Sequence, residues 1–225
     1  MKTKLMTIIL TSFLLVTSSS FAYQITITPE ADTYVSNDNP NNNYGTKQEL
    51  WVGHTAGGGK IWRSFLRFDL SGIPMGLNIE SAVLKLYLGT QTGPGAPNET
   101  VDAYFVTNDT WGQTTLTWNN APAIGTLIDT TTAPLVVNNW IEWNVFSEAQ
   151  FTYLGDGKLS IRLSSTDEMV LKSQERFFSS EGTFKPYLEV RAVPEPTTIL
   201  LFTMGTALVG RKLRRKRLPS RHQDT

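Results

Sequence analysis

Short stretches of alternating apolar and polar residues run along most of this chain and break at clusters of Asn, Gly, Pro and Asp. A period of two sends successive side chains to opposite faces of a strand, and the β-branched and aromatic content of these stretches favours that geometry. Strands are expected at Gln24–Thr28, Glu49–Val52, Ser64–Leu70, Ala82–Leu88, Val101–Thr107, Trp140–Phe146, Lys158–Ser164 and Tyr187–Arg191. Pro40–Gly45, Gly57–Gly59 and Gly93–Asn98 are loops by composition. One helix is expected at Ser147–Tyr153, where Ser147 and Gln150 have the spacing of a capping box. Many short strands with irregular loops and almost no helix predict an all-β fold, a single-domain β-sandwich of the jelly-roll kind.

The same alternation assigns faces. Leu84, Leu86 and Leu88 share one side of their strand, with Lys85 and Tyr87 on the other. Leu66, Phe68 and Leu70 go together, leaving Arg63, Phe65 and Arg67 on the reverse; Arg162 stands opposite Leu159, Ile161 and Leu163. Ile141, Trp143 and Val145 point inward, and Trp140, Glu142 and Asn144 outward. A slip of one residue would invert each set as a unit.

The two ends read differently from the body. Lys2 and Lys4 precede an apolar stretch from Leu5 to Val16 and then Ser18-Ser19-Ser20-Phe21-Ala22, so residues 1–22 are expected to be a signal peptide cut after Ala22. An uncleaved N-terminal anchor is the alternative. At the other end, Val193-Pro194-Glu195-Pro196 is expected to close the folded domain, because a proline-rich tetrapeptide cannot continue a sheet. An apolar run of about 14 residues, Thr197–Gly210, follows, with a cluster of six basic residues from Arg211 to Arg217 behind it. Such a run is shorter than the roughly 20 residues of a comfortable helical span, and the cations would hold the C-terminus on the cytoplasmic side of a membrane. This order resembles the PEP-CTERM sorting signal of Gram-negative bacteria. The resemblance implies an apolar sorting helix over residues 193–225, an exosortase-type enzyme cutting near the tripeptide, and transient or lasting attachment to the membrane. A plain tail anchor is the alternative.

Setting the ends aside leaves residues 23–192 as one domain, large enough for a single core. The formal neutrality of the whole chain conceals an imbalance. Without Glu195, Asp224, Lys2, Lys4 and the seven cations of the tail, the body carries 18 acidic and 11 basic side chains, about 7 negative charges in excess. That excludes a general nucleic-acid binder. The absence of cysteine excludes only the small disulfide-stapled scaffolds.

Catalytic material is scarce. His54 is the one histidine of the body and is expected to be a solvated loop side chain; no G-x-S-x-G elbow accompanies it. The chain is therefore read as a non-enzyme. Sugar-binding material is better represented, since aromatic rings stack on sugar C–H faces and arginine forks match carboxylates. Arg63, Arg67, Lys85, Tyr87 and Arg162 are expected on the non-core sheet face, with Phe65, Trp62 and Trp140 as platforms. A solvated face whose cations pair with Glu142 or Asp69 is the alternative. Trp118 and Trp143 are expected in the core, and Trp111 at the sandwich edge. Glu30, Asp32, Asp38 and Asn39 supply the oxygen ligands that a structural Ca²⁺ prefers, although Asp and Asn also serve as turn formers.

Several blocks fall in a recognisable order: Ala31-Asp32-Thr33-Tyr34-Val35, Asn43-Tyr44-Gly45, Arg63–Leu70, Ser81–Leu88, Trp111, Leu116–Pro122, Trp140–Val145 and Phe178-Ser179-Ser180-Glu181. The set resembles DNRLRE domains, also grouped as carbohydrate-binding module family 96. The resemblance implies an exported β-jelly roll that binds carbohydrate, with alginate-type acidic polysaccharides among the ligands, placed at the cell envelope or in the extracellular matrix. A structural matrix or adhesion protein without a sugar site is the alternative reading.

Overall fold

Each strand expected from the pattern is present, and three more join them. The computed structural model describes residues 22–93, 99–134, 136–168 and 173–195; the expected signal peptide and the tail from Pro196 onward lie outside them. Strands β1 (Tyr23–Ile27), β2 (Ala31–Ser36), β3 (Glu49–His54), β4 (Ile61–Asp69), β5 (Leu77–Thr92) and β6 (Thr100–Val106) are followed by β7 (Leu127–Thr132) and β8 (Asn139–Asn144). Helix α1 (Phe146–Tyr153), β9 (Lys158–Ser165), β10 (Ser173–Phe178) and β11 (Tyr187–Pro194) complete the described chain.

The strands form one antiparallel sheet in the order β1-β11-β5-β10-β3-β4-β9-β6-β7, with β8 also on β5 and β2 also on β4. Between β3 and β4 only Gly53↔Trp62 and His54↔Ile61 are paired, and there the sheet curls over. Gly53 permits this turn: its φ is 130°, and a Cβ would lie 2.2 Å from the carbonyl oxygen of Ser173. The two halves thus face each other as a β-sandwich. Leu66, Phe68 and Ile161 from one half join Leu84, Leu86, Trp143 and Val190 from the other in one buried cluster. Trp143 keeps its indole N–H satisfied by donating to the carbonyl of Val101 at 2.9 Å.

The inward and outward sets read from β4, β5, β8 and β9 all hold. The strands that the pattern did not reveal are those that fail to alternate. All six residues of β2 are buried, polar ones included, and β10 opens with the buried polar run Ser173-Gln174-Glu175. Other expectations need correction. Helix α1 lacks the Ser147 cap: Val145 occupies the N-cap position, Asn144 Oδ1 accepts from the Phe146 N–H at 3.1 Å, and Gln150 instead donates to Asn78 Oδ1. The sheet does not stop before the Pro-Glu-Pro element, since Val193 and Pro194 pair with Asn78 and Leu77. Pro194 is the last residue of β11, beyond the first described β1 pair, Tyr23 with Ala192. His54 is buried in β3, with its Nδ1 at 3.0 Å from the Thr55 carbonyl.

Glu175 is the most demanding core residue. It is fully buried on the inward side of β10, and one carboxylate oxygen has no hydrogen-bond partner. Burial pushes its pKa up to about 7, partly opposed by hydrogen bonds from Gln91 and Ser173. A folded-state pKa above the ordinary value means that the native state binds the extra proton. Stability therefore falls as pH rises from about 4.5 to about 7, and the full cost remains above that. Glu175→Gln is expected to raise stability at pH 8 by on the order of 2 kcal/mol, with the gain shrinking by pH 5. Thermal unfolding at the two pH values checks this.

Candidate functional site

Part of the outer face of β4 and β9 is covered. Residues 107–125 lie over it, and Phe65, Val35 and Val106 form a second apolar cluster with Trp111 and Leu116 from this loop. Phe65 is consequently a core residue and no platform; its ring meets Trp111 edge-on at 6.0 Å. Trp111 lies within this cluster, as the expectation of an edge plug implied.

Arg67 pins the loop. Its Nε donates to Glu30 at 2.5 Å, its Nη1 donates to the carbonyls of Asp109 and Trp111, and its guanidinium lies 4.9 Å from the Trp111 ring centroid. From the other side, Asn43 donates to the carbonyls of Gln113 and Leu116, and Gln113 donates to that of Gly45. Gly45 must be glycine here, because a Cβ would lie 2.0 Å from the Gln113 carbonyl oxygen. The Nε and Nη1 donors of Arg67 are thus committed to the fold.

Beside this covered region the same sheet face opens into a groove of about 350 Å³. Arg63 and Arg162 line it with Phe65, Trp118, Pro122 and Ile124. Arg63 makes a two-pronged contact with Glu168, Nε to Oε1 at 2.8 Å and Nη2 to Oε2 at 2.7 Å, while stacking 4.5 Å from the centroid of Trp118. Trp118, expected in the core, is half-buried in a short 3₁₀ turn at Trp118–Asn120 and forms one wall. Arg162 lies 5.1 Å from the ring centroid of Tyr104 and reaches Ser164 Oγ at 3.4 Å, and its buried Nε has no partner. Burial and the like charge of Arg63 hold its pKa down at about 10, which leaves it protonated at neutral pH. Glu168 is thus paired with Arg63, while Arg162 feels the carboxylates of Glu168 and Asp102 without a salt bridge to either.

The remaining expected sugar-binding residues lie elsewhere. Lys85, Tyr87 and Trp140 project from β5 and β8, in the half of the sheet across the core, so the expected set divides between two outer faces. Lys85 sits between Glu142 and Glu189, at 3.0 and 3.6 Å. Tyr87 stacks on Phe184 at 4.1 Å, and Trp140 packs edge-on against Tyr87 and Tyr187. Trp62 is half-buried with its ring against Trp51.

The four residues considered for calcium each have separate partners. Glu30 bridges Arg67 and Lys158, and hydrogen bonds from these two, outweighing burial, lower its pKa. Asp32 is buried and accepts from the N–H and hydroxyl of Ser180 at 2.7 and 2.8 Å; burial raises its pKa to about 6. Asp38 pairs with Lys60 at 2.8 Å, and Asn39 donates to Asp38. Among the described residues, no cluster of three or more His, Cys, Asp or Glu side chains could hold a metal ion.

Residues 23–192 match the family model of carbohydrate-binding module family 96. The chain belongs to this family. Residues 192–217 match the PEP-CTERM protein-sorting motif, which marks the module for export and sorting to the cell envelope. No curated protein matches the chain. For this module, Arg67 is expected to behave as a structural residue. Arg67→Ala leaves two loop carbonyls without their donor and Glu30 with Lys158 alone, and is expected to cost about 2–4 kcal/mol. Arg67→Lys should recover little of this, because one ammonium cannot serve the three acceptors in the geometry of the planar fork. Urea unfolding followed by Trp fluorescence reads both.

Proposed function

We propose that this module binds an acidic polysaccharide in the groove between Arg63, Arg162 and Trp118. The observation that carries the reading is the pair of guanidinium groups lining the groove, one held by Glu168 and the other, on the half-buried Arg162, with an unpartnered Nε. A half-buried cation lacking a full set of acceptors is costly, and a uronate carboxylate entering the groove would supply one to the Arg162 guanidinium. Trp118 offers a ring beside that anion for a sugar face, although one side of it already carries Arg63. The groove is concave and apolar on its Phe65–Ile124 side, which suits the hydrophobic patches of a pyranose. No nucleophile or metal is involved in such a role, so the module acts by binding. Sorting would hold it at the envelope or in the surrounding matrix, with an exosortase-type enzyme cutting near Pro196.

A second reading has an observation of its own. Tyr87, Phe178, Phe184, Trp140 and Tyr187 form a continuous aromatic cluster on the opposite outer face, with Phe184 exposed. Such a surface suits contact with another protein in a matrix or adhesion role.

Titration calorimetry with acidic oligosaccharides separates the two. Arg162→Ala is expected to weaken binding tenfold or more, since a charge-assisted hydrogen bond contributes roughly 1.5–3 kcal/mol. Trp118→Ala should weaken it in the same direction, while Tyr87→Ala and Trp140→Ala leave it unchanged. Binding should also fade with salt, as the Debye length drops from about 10 Å at 0.1 M to about 3 Å at 1 M. Unchanged affinity in a folded Arg162→Ala variant would move the site away from this groove.

A further inference from the structure

The end of the sandwich at which the chain leaves for its tail is unusually apolar for a surface. Met75 is 95% exposed, Leu154 75%, Phe151 70% and Tyr23 49%. The topology gathers these four. Tyr23 pairs with Ala192 near the end of β11, and the Glu195 N–H donates to the carbonyl of Gly76, the residue after Met75. Tyr153 donates to the carbonyl of Pro74 at 2.7 Å, and Gln150 to Asn78, which tie the C-terminal half of α1 to the same rim. Phe151 meets Phe105 edge-on at 6.3 Å but stays largely exposed, and large exposed apolar side chains on one rim mark a contact surface.

The chain beyond this rim indicates what it contacts. Only Pro196 separates Glu195 from the apolar run that starts at Thr197. Two residues of extended chain span at most about 7 Å. If the run enters a bilayer, the rim must therefore lie at headgroup depth. The run of 14 residues would rise only about 21 Å as a helix, against a hydrocarbon thickness of about 30 Å. A span shorter than the hydrocarbon core is accommodated by local thinning of the bilayer, which brings the flanking rim closer to the lipid. We propose that Tyr23, Met75, Phe151 and Leu154 form a lipid-contacting rim that rests on the bilayer while the tail is uncut, a proposal that depends on the tail entering a membrane. Glu148, Asp156 and Glu195 lie on or beside the same rim segments, so a zwitterionic surface fits it better than an anionic one.

The chain has no cysteine, so single Cys substitutions give clean labelling sites. The uncut full-length protein would be reconstituted in phosphatidylcholine vesicles with an environment-sensitive fluorophore at Met75→Cys, Leu154→Cys, Lys60→Cys or Thr203→Cys. Lys60 precedes β4 at the opposite end of the sandwich, and Thr203 reports on the tail. Labels at 75 and 154 are expected to shift to the blue and to be quenched by spin-labelled lipid, as is the label at 203, whereas the label at 60 stays solvent-like. Solvent-like emission at 75 and 154 together with lipid-like emission at 203 would overturn the rim while leaving the tail in the membrane. Solvent-like emission at 203 would remove the membrane reading and the rim with it. Equal shifts at 60, 75 and 154 would mean indiscriminate adsorption and would also overturn it.

Discussion

The clamp of Arg67 on residues 107–125 is the interaction on which the outer face of β4 and β9 depends. One guanidinium satisfies Glu30 and two loop carbonyls and lies against Trp111. The loop it holds dehydrates Phe65 and Val35, turning a strand that alternates in sequence into one buried on both faces. The same loop continues to Trp118 and Pro122, which form a wall of the groove. Glu30 in turn binds Lys158, which pairs with Asp69, so the clamp extends as a chain of ion pairs along the ends of β4 and β9. Hydrogen bonds from Lys158 and Ser71 hold the Asp69 pKa well below the usual carboxylate range. This partly exposed network adds orientation more than energy, since exposed pairs contribute little on their own. Its worth lies in fixing where the loop sits.

Much of the fold was legible because one side of each main strand is fully dehydrated. Leu84, Leu86 and Leu88, or Leu159, Ile161 and Leu163, could not be placed on the wet face without exposing the whole set. What alternation could not convey is the fate of the reverse face. The pattern of β4 leaves Arg63, Phe65 and Arg67 together as outward residues, yet one is paired in a groove, one is core and one is a clamp. The difference is made by a loop more than forty residues away, and no local pattern encodes that contact. Nor does alternation say which half of a curled sheet a strand joins, and so Lys85, Tyr87 and Trp140 were grouped with arginines that lie across the core. Strands β2 and β10 escaped notice for a related reason: their polar residues are buried and hydrogen-bonded, as Asp32 is by Ser180, so they show no period of two.

The candidate site was half legible. Arg63 and Arg162 were named from their facing and charge, and the structure brings them together. Trp118 reads as core because it sits in an inward pattern, and Glu168 drew no notice in a segment without strand character. The Arg162 side of the groove is short of acceptors, and this distinguishes it from better-partnered cations elsewhere on the module. Lys85 has two carboxylates, Arg67 has three acceptors, and Arg176 lies 4.2 Å from the Trp51 ring centroid while donating to Gln174. Arg162 alone among these keeps a buried donor without an acceptor.

A crystal structure of the module with a bound acidic oligosaccharide tests this account most directly. The account places a sugar carboxylate within hydrogen-bond distance of the Arg162 guanidinium, with a sugar ring alongside Trp118 and Arg63. A sugar bound instead on the aromatic face of Tyr87, Phe184 and Trp140, with the groove unchanged, would contradict it.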